Sequence, residues 1–62
     1  MNQEQYKLLT SKLRLPVHIT YISRYILQVS EEETKKILDL LIELEEVEES
    51  KYGKGYYVLK TK

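Results

Sequence analysis

The feature that most constrains this chain is a missing one: its 62 residues contain no cysteine. A domain this short buries a small core and holds little stability in reserve, so many natural chains of such length add disulfides or a metal. Disulfides and thiolate metal sites both need cysteine. His18 is the only histidine, so a metal site built on it would need several carboxylates. No metal and no cofactor is expected. The fold must come from packing, from a partner, or from the pairing of two copies. Phenylalanine and tryptophan are absent, so the six tyrosines are the expected core aromatics, with Tyr25 and Tyr57 expected to be buried. Enrichment in lysine and glutamate without cysteine is thermophile-like.

Residues 2–14 read as a helix, because Tyr6, Leu8, Leu9 and Leu13 recur at roughly helical spacing. Pro16 ends it, since proline disfavours helical geometry in the residue before it. Val17-His18-Ile19 is long enough for one edge strand. Thr20 is the expected N-cap of a second helix to about Leu27, with Ile22, Ile26 and Tyr25 on its buried face. After a turn at Gln28-Val29, Ser30 opens a third helix. Ser30 and Glu33 fit a capping box, in which hydroxyl and carboxylate each take the other's backbone N–H. Ile37, Leu38, Leu41 and Leu44 carry the apolar stripe to about Glu45. The period then changes. Residues 47–52 alternate loosely, Gly53-Lys54-Gly55 form a turn of about three residues, and residues 56–60 are strand formers, which together read as a β-hairpin. Both glycines are expected to supply positive backbone dihedrals. Ile22, Ile26, Ile37, Leu38, Leu41 and Val58 are the expected core cluster.

The formal net charge is zero, but the charges are segregated. Residues 1–30 set Lys7, Lys12, Arg14 and Arg24 against Glu4 alone. Residues 31–50 hold nine acids against Lys35 and Lys36. Residues 51–62 hold four lysines and no acid. Apolar runs are far shorter than the ~20 residues a spanning helix needs. With no leader segment, a soluble, cytoplasmic protein without a membrane role is expected. Catalysis is not expected, because the single imidazole has no nucleophile signature near it and no phosphate-binding glycine loop is present.

Helix, short strand, helix, turn, helix and hairpin is the order of a winged helix-turn-helix. Ile22-Ser23-Arg24-Tyr25-Ile26 resembles the first helix of that motif, and Val29-Ser30 its step into the recognition helix. Ile37-Leu38-Asp39-Leu40-Leu41 is similar to the aliphatic end of that helix. Lys51-Tyr52-Gly53-Lys54-Gly55-Tyr56-Tyr57 resembles a basic wing. The resemblance implies an α+β, mainly α, winged helix-turn-helix in one domain over 1–62. The helix-turn-helix would span about 20–45 and the wing about 47–60. In size and composition the chain resembles small stand-alone regulators of thermophilic archaea and of their viruses and plasmids. Three departures stand out. The turn lacks the usual glycine, the recognition helix opens on Glu31, Glu32 and Glu33, and Glu45 stands where glycine often closes that helix. That last departure predicts fraying or extension of the helix.

The resemblance implies double-stranded DNA as partner and regulation of transcription or replication as role. Arg24, Lys51, Lys54, Tyr21 and Tyr52 would meet phosphates, while Lys35 and Lys36, with Glu32 as a base reader, would face the major groove. Each has a plainer reading. The wing lysines can be solvated charges that discourage edge pairing. Lys35 and Lys36 can form pairs with Asp39 and with Glu31 or Glu32. The three glutamates suit a positive helix end. The runner-up function is an acidic third helix that binds a basic protein. Leu40 and Ile42 widen the apolar stripe, either for burial under the first helix or hairpin or for a homodimer or partner.

Overall fold

The computed structural model describes residues 2–60. Met1, Thr61 and Lys62, the last of them one of the terminal lysines counted above, lie outside the described residues. The first helix, α1, is Gln3–Lys12 and begins on a cap not anticipated from sequence. The Asn2 side chain accepts from the Gln5 N–H at 2.8 Å, and the Gln5 side chain accepts from the Asn2 N–H at 3.3 Å. This reciprocal pair satisfies two of the free donors at a helix start. Leu9 and Leu13 are fully buried, whereas Leu8 faces outward.

Strand β1 is Val17–His18. The second helix, α2, follows at once as an α-turn, Ile19–Tyr21, and continues over Ile22–Leu27 in the wider π-helical winding. Its cap is His18 rather than Thr20: the imidazole Nδ1 accepts from the Thr20 N–H at 3.1 Å. The helix therefore starts two residues earlier than expected, and a ring nitrogen replaces the hydroxyl as acceptor. Ile22, Ser23, Ile26 and Leu27 face inward. Tyr25 does not; it is 63% exposed and packs against Tyr21 at 5.0 Å between ring centroids. The helix ends where Gln28 turns to φ 56°, and both the Gln28 and Val29 N–H groups donate to the Ser23 carbonyl.

The third helix, α3, is Glu31–Glu43. Half of the expected capping box is made: the Ser30 hydroxyl accepts from the Glu33 N–H at 3.1 Å. The Glu33 carboxylate does not return to Ser30 and lies instead 4.0 Å from Lys36. At the other end the helix neither frays nor runs on. Glu45 adopts φ 60°, its N–H donates to the Ile42 carbonyl, and the Glu46 N–H donates to Leu41, both at 3.0 Å. These two bonds are a Schellman closure, with glutamate in the place glycine usually takes. Leu38, Leu41 and Thr34 face inward, Ile37 and Ile42 are half-buried against the core, and Leu40 and Leu44 are exposed. Leu44 thus leaves the stripe, because the chain has already begun to turn there.

Strands β2, Val47–Glu49, and β3, Tyr56–Leu59, form the hairpin. Its loop is longer than expected, since pairing ends at Glu49. Ser50 starts a turn of its own: its hydroxyl accepts from the Tyr52 N–H at 3.0 Å, while its N–H donates to the Tyr56 carbonyl at 2.8 Å. Only Gly55 has positive φ, at 83°; Gly53 does not. The sheet is antiparallel in the order β1-β3-β2, with Val17 opposite Tyr57 and Val47 opposite Leu59.

The three helices and three-stranded antiparallel sheet enclose one core. It comprises Leu9, Leu13, Ile22, Ile26, Leu27, Leu38, Leu41, Val47 and Tyr57. Val58, expected within it, lies on the opposite face of β3 from Tyr57 and is only half-buried. The phenol of Tyr6 donates to the Glu46 carboxylate, tying α1 to the start of the hairpin.

Candidate nucleic-acid interface

The hairpin loop is held against the rest of the molecule at Gly55. Its carbonyl accepts from the Ile19 N–H at 2.9 Å. A Cβ on Gly55 would stand 2.9 Å from Nε2 of His18, so the close approach and the left-handed backbone both require glycine. His18 also packs edge-on against Tyr56 at 5.1 Å, and Tyr56 against Tyr52 at 4.9 Å. This row of rings runs from the cap of α2 to the loop tip. Tyr52 itself is 73% exposed at its end.

Between this anchored loop and the first two turns of α3 lies an open cleft of about 430 Å³. From α3 it receives Glu31, Glu32 and Lys35; from the hairpin, Glu49, Lys54 and Tyr57. Ile19 and Gly55 close one end. Of the residues expected to meet DNA, the cleft brings together Glu32, Lys35 and Lys54. It does not include Lys36, which is turned toward Glu33, nor Lys51 and Tyr52, which are exposed on the loop. Tyr21 and Arg24 are exposed on α2 and also lie outside the cleft. The expected pairing of Lys35 and Lys36 with Asp39, Glu31 or Glu32 is not formed. Among the described residues the ion pairs within 4.0 Å are Lys36–Glu33 and Lys60–Glu45.

Three residues of the cleft were not singled out as functional from sequence: Glu31, Glu49 and Tyr57. A signal for two of them was present. Alternation puts Val47 and Glu49 on one face of β2, and Glu49 stands opposite Tyr57. That face is buried at Val47 and opens at Glu49, so a carboxylate and a phenol meet at the rim of the core. Tyr57 is only 3% exposed. Burial pushes its pKa above the ordinary 10.0; the Lys35 ammonium opposes this, and Glu49 and Asp39 add to it. The Glu31 carboxylate accepts from the Thr20 hydroxyl at 3.4 Å, which links α3 to α2.

No group of three or more metal-ligating side chains is assembled among the described residues, and no helix there is long and apolar enough to cross a membrane. No protein-family model, curated protein or solved structure matches the chain.

Proposed function

We propose that this chain is a winged-helix module that binds double-stranded DNA, with α3 as the reading helix and the hairpin loop as the wing. The observation that carries the reading is the placement of Lys35 and Lys54 on opposite walls of one cleft. A helix and a loop that present cations side by side suit a duplex, whose groove and flanking phosphates are met together. The order helix, strand, helix, helix, hairpin, with β1 joined to the far edge of β3, supports the same reading. Lys51 and Tyr52 extend the loop's reach toward phosphate, and Arg24 and Tyr21 offer a second contact from α2. In this reading the protein binds, and no catalytic step is assigned to it.

One observation favours a second reading, an acidic α3 that docks a basic protein. Glu31, Glu32 and Glu49 share the cleft with the lysines, and carboxylates near phosphates weaken DNA binding. Fluorescence anisotropy on random duplex DNA across a salt series separates the two. For DNA, the Lys51→Ala plus Lys54→Ala variant binds all duplexes more weakly, and the slope of log affinity against log salt falls by about one per lost contact. The Glu32→Gln plus Glu33→Gln variant binds more tightly without preference for sequence. A parent protein without duplex affinity at low salt would sink the DNA reading.

A further inference from the structure

Two patches of the surface carry exposed leucines, and their charges are opposite. On α3, Leu40 and Leu44 stand one turn apart on one face, and both are exposed. Asp39 and Glu43 are exposed beside them, and neither forms an ion pair among the described residues. Lys36, a turn nearer the helix start, is already turned to Glu33. The last turn of α3 holds no basic residue, so Glu43 lies at the negative end of the helix without a neutralising charge. On α1, Leu8 and Lys12 are one turn apart and exposed, and Arg14 and Leu15 follow in the turn before Pro16. Leu15 is 74% exposed, the most of any large apolar side chain described. Lys7, Lys12 and Arg14 likewise form no ion pair among the described residues.

We propose that these two patches fit one another in different copies of this chain: the basic end of α1 docks on the acidic end of α3 in the next copy. The match is one of charge and apolar surface together. Each patch sets two leucines beside charges of one sign, so the contact removes apolar surface from water and pairs charges that the single chain leaves unpaired. The partner is a second copy because this chain supplies both halves. Residues 1–30 hold four cations against one acid, and residues 31–50 hold two against nine, while the whole is neutral and so does not repel its copy. A contact between unlike patches repeats, so it builds open chains or rings rather than a closed pair. With four leucines at its centre it is small and transient. Neither patch lines the cleft. The inference does not rest on DNA binding, and its test contains no DNA.

The test is sedimentation equilibrium and two-dimensional amide NMR of the full chain, from micromolar to millimolar concentration, at low and at high salt. At low salt the mean mass should rise with concentration, and the amides of residues 8–15 and 39–45 should shift together. High salt should weaken the association about tenfold, because the paired charges are screened. Lys12→Glu plus Arg14→Glu, and separately Asp39→Lys plus Glu43→Lys, should each weaken it about tenfold or more. All four positions are exposed, and the amide spectrum of each variant reports its fold. An equimolar mixture of the two variants should associate as the parent does, because opposite charges face one another again. One chain carrying all four changes should do the same. Leu15→Gln, at a side chain outside the core, should weaken association about threefold without altering the fold. A parent that stays a single chain at millimolar concentration and low salt would overturn the assignment. So would an α1 variant that associates as the parent does, which would point to α3 pairing with α3. Absence of rescue in the mixture, or shifts confined to other surfaces, would overturn it equally.

Discussion

Gln28, Glu45 and Gly55 all occupy left-handed backbone among the described residues, yet only one of them is glycine. A residue with a Cβ loses roughly 1 kcal/mol there, so Gln28→Gly and Glu45→Gly should each stabilise the fold by up to about that amount. The second variant forfeits the Lys60–Glu45 pair at 3.6 Å, which is exposed and contributes little. A rise of several degrees in the thermal midpoint is the expected reading, since about 1 kcal/mol moves a domain this small by ~4–8 °C. Gly55→Ala should go the other way, because the added carbon meets both an unfavourable φ and the His18 ring. Thr34 is a different case. It is fully buried, and its hydroxyl has no partner among the described residues. Thr34→Val keeps the shape, removes the unmet donor, and should stabilise by about 1–2 kcal/mol in denaturant melts. Tyr57 supplies a pH dependence. Its folded pKa lies above its unfolded value near 10.0, so its contribution is complete below pH 10 and is lost as pH rises through the folded pKa. Urea midpoints measured on the alkaline side should fall less steeply for Tyr57→Phe than for the parent.

At the scale of elements, what was legible followed from strong local chemistry. The first helix was legible but not its end: expected to run over residues 2–14 up to Pro16, α1 closes at Lys12 with Leu13 as its cap, whereas Ser30 opens α3 by the bond expected of it, and the change of period after Glu45 announces the hairpin. What was not legible depended on groups that behave alike in sequence and differently in space. His18 is as plausible a strand residue as a cap, and only its ring geometry against Thr20 and Gly55 makes it the latter. Tyr25 fits a helical face with Ile22 and Ile26, but the π winding of Ile22–Leu27 turns it to solvent beside Tyr21. Glu45 shows that a Schellman bond pair can close a helix without glycine, so its absence did not predict fraying. For the cleft, the helical lysine and the loop lysine were both readable. Their meeting was not, because it requires the Ile19–Gly55 bond that sets the loop beside α3. His18→Ala tests that bond's setting: it removes the α2 cap and the ring beneath Tyr56, and should cost about 1–2 kcal/mol. In NMR the loop amides at residues 51–55 should broaden or shift before those of α1 do.

Considered whole, the molecule relies on one core without covalent reinforcement. Leu38 is fully buried within it and sits on the helix packed against both α2 and the hairpin. Leu38→Ala should cost about 2–5 kcal/mol, a large share of what so small a domain has, and a melt unchanged by it would place the core elsewhere. The charge segregation read from sequence becomes spatial in part only. Glutamates of the acidic stretch meet one of the C-terminal lysines, Lys54, in the cleft, and Lys60 reaches back to Glu45, so the two signs are mixed at both places. The sheet order carries a consequence for how the protein is made. β1 and β2 never touch; each is bonded only to β3. On a nascent chain leaving the ribosome, all three helices and both outer strands are present before the strand that joins them. Val17 must wait for Tyr57, with α2 and α3 already out between them. Until β3 has emerged, Val47 and Leu13, both buried in the finished fold, lack part of their cover.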